Sequence, residues 1–202
     1  MTRTDGSRMP RITRDTLLTL EAYAKTRQDF RARVLAHKKP RTVHLGEHVT
    51  LLFEDELTIR YQIQEMLRVE KTFEDGGIQD ELDAYNPLIP DGRNWKATML
   101  VEFEDVDERR RALSRLRGIE DRVWVQIEAR PRVYAIADED LERENDEKTS
   151  AVHFVRFELK PDMIAALKTG AAISMGVDHP QYTATLRAVP EATRRALLAD
   201  LA

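Results

Sequence analysis

Two stretches of alternating apolar and polar residues, ATMLVEFED (97–105) and AVHFVRFEL (151–159), decide the fold of this chain. Each stretch alternates as a half-buried β-strand does. Aligned with each other, they share the identical pairs Ala97/Ala151, Val101/Val155, Phe103/Phe157 and Glu104/Glu158. A predicted helix that ends at a glycine follows each strand, and a predicted hairpin follows each helix. The second half of the chain therefore predicts two βαββ repeats that form one antiparallel sheet.

The first half of the chain predicts helices and one small hairpin. A long helix is predicted from Arg14 to Lys38, and two short strands are predicted over 41–45 and 48–53. Arg27 falls on the apolar stripe of the first helix and would need a carboxylate partner there. The following stretch, 53–90, keeps an apolar stripe at helical spacing and predicts a second helix that ends near its two adjacent glycines. The predicted class is α+β, with the N-terminal helices and the hairpin packed on a sheet built from two βαββ repeats.

Length and composition predict one compact protein. With 202 residues, of which 34% are charged, the chain can bury one good core. We expect a flexible segment over 1–11, a helical part with the hairpin over 12–92 and the repeats over 93–202. The net charge of -4 argues against a general nucleic-acid binder, and no apolar window is long enough for membrane insertion.

The absence of cysteine excludes several kinds of cross-link and metal site. It excludes disulfides, and it excludes zinc sites or Fe–S clusters held by thiolates of this chain. Residues 1–11 contain no apolar signal-peptide core, so a cytoplasmic location is expected.

One face of the predicted sheet mixes large apolar residues with charged ones. The charged candidates for binding a cofactor or ligand on this face are Glu102, Glu128, Arg156 and Glu158. A half-solvated sheet, with its charges in water, explains the same pattern. On a central strand, we expect Arg156 to be mostly buried and bonded to Glu102 or to the second helix.

Imidazole and carboxylate groups are dense between residues 44 and 70. The candidate metal ligands are His44, His48, Glu54 and Glu65, and their donor atoms suit non-haem iron or manganese. The spacing matches neither HExxH nor the ExxH of di-iron helices. Surface histidines explain the same residues. Nearby, a basic run over 31–41 suits a phosphate or an acidic partner, although cations at the end of a helix are favoured anyway.

The segments 36–92, 96–105 and 147–159 together resemble a bacterial family of unknown function. Members of that family are often encoded beside a rubrerythrin and a large Fe–S oxidoreductase. The resemblance implies an accessory, ligand-binding or metal-binding protein of an oxidative-stress or electron-transfer system, with those two proteins as partners. It supplies no catalytic residues.

Two alternatives to this role stay open. Paired βαββ modules are similar to the metal-dependent glyoxalase and extradiol-dioxygenase architecture, although each module here lacks an evident fourth strand. An interaction scaffold that uses the basic run is the other alternative. Whether the chain is an enzyme is left open at this point.

Overall fold

The α+β class is confirmed by the computed structural model, which describes residues 11–137 and 149–202. The helices of the described part are α1 (Leu20–Lys38), α2 (Glu56–Glu70), α3 (Asp75–Tyr85), α4 (Val106–Arg115), α5 (Pro161–Lys168) and α6 (Glu191–Leu198). Its strands are β1 (Thr42–Leu45), β2 (Val49–Phe53), β3 (Asn94–Val101), β4 (Val123–Ile127), β5 (Val133–Tyr134), β6 (Ile136–Ala137), β7 (Val152–Glu158), β8 (Ile173–His179) and β9 (Tyr182–Leu186). The flexible segment predicted over 1–11 lies, apart from Arg11, outside the described residues.

The strands form two antiparallel sheets, so the prediction of one sheet is wrong. The larger sheet has the order β1-β2-β3-β7-β6, and the smaller has the order β5-β4-β8-β9. Each βαββ unit is divided between them, because α4 and α5 carry the chain from the larger sheet to the smaller one. The period-two pattern fixes which face of a strand is buried, but it does not fix which sheet the strand joins.

The predicted order of elements occurs twice, as β3-α4-β4-β5 and as β7-α5-β8-β9. The first strands of the two units pair with each other in the larger sheet, and their second strands pair in the smaller sheet. Gly118 and Gly170, which follow α4 and α5, have φ angles of 74° and 102°, as left-handed helix ends require. An origin of the two units by duplication stays a prediction.

The main core lies between the apolar faces of the two sheets. Phe53, Trp95, Met99 and Phe157 from the larger sheet and Val125 from the smaller one are all fully buried there. Helix α6 closes this core at one end, where the Trp95 indole Nε1 donates to the Leu197 carbonyl at 2.9 Å. The apolar face predicted from the alternation of the strands is therefore the one that the protein buries.

Helices α1, α2 and α3 enclose a second apolar cluster around Ile59, Ile63 and Leu82. Helix α1 begins at Leu20 rather than at Arg14, because Thr19 caps it by accepting from the Ala22 amide. Helix α2 ends at Glu70, before the two glycines, since Lys71 adopts a left-handed conformation. None of the helices in the described ranges has the length and apolar character that crossing a membrane requires.

A buried ion network ties α6 to the beginning of the hairpin. The Arg41 guanidinium is 3% exposed and donates to both carboxylate oxygens of Asp200, at 2.7 and 2.9 Å. Its Nη2 also lies 3.0 Å from the carboxylate of Asp55, which caps α2. Burial raises the pKa of the Asp200 carboxyl, and the Arg41 hydrogen bonds oppose that rise.

A single tryptophan covers the outer face of the smaller sheet. Trp124 points away from the main core and lies opposite Gly176 in the register of β4 and β8. The Arg132 guanidinium lies 3.9 Å from the centroid of the indole ring and reaches Asp178 at 3.2 Å. The indole is thus enclosed between the backbone of β8 and a cation.

Candidate functional site

An open pocket of ≈ 470 Å³ lies between α4, the β1–β2 turn and the β8–β9 hairpin. Its apolar lining comes from Phe103, Ala112 and Leu116, which pack on or belong to the main core. The polar side chains that line it are His48, Asp105, Glu108, Arg111, Arg115, Gln181 and Tyr182. An apolar lining with a few polar groups around it is the usual composition of a small-molecule site.

Helix α4 supplies the charged side of the pocket. Glu108, Arg111 and Arg115 are spaced at three and four residues, so they share one face of the helix. Asp105 precedes them as the N-cap, and its Oδ1 accepts from the Glu108 amide at 2.7 Å. Carboxylates therefore lie at the beginning of the helix and guanidinium groups lie nearer its end.

Three of these charged side chains have no partner in the part of the chain that the structure describes. No ion pair or side-chain hydrogen bond within the ranges 11–137 and 149–202 engages Glu108, Arg111 or Arg115. The two arginines are four residues apart on the helix, a spacing at which like charges destabilise it. Within the described ranges, no direct partner therefore neutralises the charge of these side chains.

His48 adds a hydrogen-bond acceptor to the pocket wall. Its Nδ1 lies 2.9 Å from the Glu102 carbonyl oxygen, which can only accept, so Nδ1 carries the proton. The neutral ring then has its lone pair on Nε2, and no described residue donates to that atom. The imidazole stacks on Phe103 with ring centroids 3.9 Å apart, which fixes the plane of the ring.

Tyr182 positions the turn that carries His48. Its hydroxyl donates to the Leu45 carbonyl at 2.6 Å and accepts from the His48 amide at 3.0 Å. Gly46, in the same turn, has a φ of +74°, and a Cβ there would collide with the Tyr182 hydroxyl. The turn is therefore built around this phenol, and the glycine leaves room for it.

The four candidate metal ligands lie apart. His44 Nδ1 contacts the Thr50 hydroxyl at 3.0 Å, and the buried Glu54 carboxylate accepts from Thr98 at 2.6 Å. No group of three or more histidine and carboxylate side chains is placed to hold a metal ion within the described ranges. These residues do not form a cluster, because His44 lies on β1, His48 in the turn after it, Glu54 just after β2 and Glu65 on α2.

Glu65 forms part of the joint between α1 and α2. Its carboxylate accepts two hydrogen bonds from Arg27, at 2.7 and 2.8 Å, and one from the Tyr23 hydroxyl at 2.6 Å. The Arg27 hydrogen bonds, helped by those from Tyr23 and Arg68, lower the pKa of Glu65 to about 2. Burial and the Glu65 carboxylate raise the pKa of Tyr23, which therefore stays a donor. The carboxylate partner that the sequence requires for Arg27 is confirmed.

Acid should weaken the contact that Glu65 makes between α1 and α2. Because the folded pKa of Glu65, about 2, lies below its ordinary value of 4.5, its contribution to stability is complete above pH 4.5 and is lost between pH 4.5 and 2. We expect urea unfolding to show a loss of about 1–3 kcal/mol over that range relative to a Glu65→Gln variant. The variant should already be less stable at pH 7, and parallel stability curves for the two proteins would contradict this role.

The four charged candidates on the mixed face do not form one cluster, although Arg156 and Glu158 pair with each other. Arg156 Nη1 donates to Glu158, two residues along its own strand, so the predicted bond to Glu102 or to the second helix is wrong. The register of β3 and β7 explains this, because it places Lys96 opposite Arg156. Glu102 instead accepts from the Thr50 hydroxyl at 2.6 Å. Glu128 follows β4 in the other sheet. Whether any of them binds a cofactor stays a prediction.

Residues 11–201 match the family described as "Protein of unknown function (DUF3501)". The chain belongs to this family. A crystal structure titled as a novel protein of unknown function from Burkholderia pseudomallei is 57% identical to it, with a TM-score of 0.91. The likeness covers 96% of this chain and 100% of the other. A search of curated proteins found no match.

No motif or periodicity in the sequence of this DUF3501 member predicted its pocket. The lining comes from the β1–β2 turn, from residues 103–116 and from the β8–β9 hairpin, which are far apart in the chain. The arginines of α4 have the pattern of a solvated helix face, and only the packing of the two turns beside them makes a concave surface. Of the predicted site residues, His48 alone lines this pocket.

Proposed function

We propose that this protein binds a small polar organic molecule in the pocket beside α4. The observation that carries the proposal is a set of charges that have no partner among the described residues, Glu108, Arg111 and Arg115, next to an apolar lining. The pocket volume of ≈ 470 Å³ falls within the range of about 300–1,000 Å³ that is usual for small-ligand sites. The apolar lining favours binding of a carbon skeleton, and the charged groups orient the molecule.

Thermal unfolding with classes of small molecules tests this function. The probes are α-amino acids, dicarboxylates, orthophosphate and aliphatic amines, each added in millimolar excess. We expect at least one class to raise the Tm of the wild-type protein, because a ligand that binds only the folded state stabilises it. The same class should fail to raise the Tm of the Arg111→Gln, Arg115→Gln double variant.

The control is Arg110→Gln, a substitution on the same helix at a residue that does not line the pocket. This variant should respond to the ligand as the wild type does. If every class shifted the wild type and the double variant equally, the pocket would not be the binding site and the proposal would fail.

The family resemblance supports a place for this binding protein in an oxidative-stress or electron-transfer system. On that proposal, a rubrerythrin and an Fe–S oxidoreductase from the same organism are its partners. Biolayer interferometry with the purified proteins, in the presence and absence of the pocket ligand, tests it. Binding at micromolar concentration is the expected result, and no binding at 100-fold higher concentration would refute the partnership.

A further inference from the structure

We infer that the ligand of the pocket is an amino acid, a molecule with an ammonium and a carboxylate group on a partly apolar body. The inference rests on the proposed function and specifies the ligand. It is carried by the arrangement of opposite charges along α4, together with the fixed tautomer of His48 and the apolar lining.

The charges of the pocket are balanced and separated. Asp105 and Glu108 lie at the beginning of α4, while Arg111 and Arg115 follow one and two turns later. Glu108 and Arg111 are about 4.5 Å apart along the helix axis, at a rise of about 1.5 Å per residue, so one small molecule can reach both side chains. A purely anionic ligand would meet the carboxylates, and a purely cationic one would meet the guanidinium groups. A dipolar ligand is attracted by both ends.

The hydrogen bonds that the charged groups already make within the described residues determine the expected orientation of the ligand. One oxygen of Asp105 is already used by the Glu108 amide, so the Glu108 carboxylate is the partner for an ammonium group. Arg111 and Arg115 have no described partner and can each donate to a carboxylate. Charge-assisted hydrogen bonds to both its ammonium and its carboxylate group would hold such a molecule against the face of α4.

His48 favours a ligand that donates hydrogen bonds. The Glu102 carbonyl keeps the proton on Nδ1, so the neutral ring offers an acceptor at Nε2. An ammonium group can donate to that atom, whereas a carboxylate can do so only if it is protonated. The apolar part of the amino acid would then cover Phe103, Ala112 and Leu116.

Matched ligands separate the contribution of each charge. L-leucine, 4-methylpentanoate and 3-methylbutylamine share an isobutyl group but carry both charges, only the carboxylate and only the ammonium. L-phenylalanine and L-glutamine test other side chains. By isothermal titration calorimetry, the best-bound amino acid should have a Kd at least about tenfold lower than that of either single-charge analogue, since hydrogen bonds to charged groups are worth that much.

Variants should remove each preference separately. Glu108→Gln should reduce the advantage of leucine over 4-methylpentanoate to about twofold or less, and should leave its advantage over 3-methylbutylamine. The Arg111→Gln, Arg115→Gln double variant should reduce the advantage of leucine over 3-methylbutylamine to about twofold or less, and should leave its advantage over 4-methylpentanoate. Asp107→Asn and Arg110→Gln change charges of α4 outside the pocket and should alter neither ratio.

The outcomes distinguish this inference from the proposed function. Equal affinity for leucine and 4-methylpentanoate overturns the inference, and so does tighter binding of succinate or orthophosphate than of any amino acid. In either case, dependence on Arg111 and Arg115 would keep the pocket as a binding site. If no probe of any class binds the wild type at 10 mM, both the inference and the proposed function are overturned.

Discussion

Replacing Arg41 by methionine should destabilise the protein by about 3–5 kcal/mol, because the change leaves two carboxylates without their buried cation. The Asp200 side chain is 7% exposed and loses both hydrogen bonds from the guanidinium, and Asp55 loses a neighbour at 3.0 Å. The free energy of unfolding from urea denaturation at pH 7 measures the effect. The Arg41→Met, Asp200→Leu double variant should lose less than the two single variants added together, since it removes the stranded charge as well.

The matched control is Lys39→Met. Lys39 is an exposed cation two residues before Arg41, and its replacement should change the free energy of unfolding by no more than about 0.5 kcal/mol. A loss below about 1 kcal/mol for Arg41→Met would show that the network contributes little to holding α6 against the hairpin.

Gly176→Ala should cost about 2–4 kcal/mol, a large effect for the addition of one methyl group. A Cβ at this position would lie 2.5 Å from the Ala184 carbonyl oxygen and 2.7 Å from Cε2 of the Trp124 indole. The carbonyl belongs to the backbone of the neighbouring strand and cannot move alone, and the indole is held from its other side by Arg132. Chemical denaturation gives the free energy, and tryptophan fluorescence reports whether the indole has moved.

The same substitution at Gly76 is its control. Gly76 lies in α3, and a Cβ there would meet nothing within 4 Å. Gly76→Ala should be neutral or stabilising by up to about 1 kcal/mol, because alanine loses less backbone entropy in a helix. Equal destabilisation by both substitutions would mean that the contact with the indole is not the cause of the cost at Gly176.

Local pattern predicted the elements and the buried face of the strands, because both depend on neighbours in sequence. The alternation around Val101 and Val155 correctly identified the core side of β3 and β7. Pairing between strands that are distant in sequence depends on the tertiary fold as a whole. The prediction of a single sheet was wrong for this reason. The predicted bond from Arg156 to Glu102 failed for the same reason, since the register of β3 and β7 places Lys96 rather than Glu102 opposite Arg156.

The candidate site depended even more on tertiary structure. Glu108, Arg111 and Arg115 differ in nothing local from other charged residues on an exposed helix. They line a pocket only because Tyr182, from a different sheet, holds the turn of His48 that forms the facing wall. Such a contact between residues remote in sequence leaves no periodic signal in the chain.

The pairing of β3 with β7 has a consequence for how the chain reaches this structure. Leu100 pairs with Val152 and Asn94 with Glu158, so the central ladder of the larger sheet forms only when residues far apart in the chain meet. Sheets with such non-local pairing fold in about milliseconds to seconds, more slowly than helical bundles. During that interval the unpaired edge of β3 is open to strands of other molecules. Refolding at low protein concentration should therefore recover more native protein than refolding at high concentration.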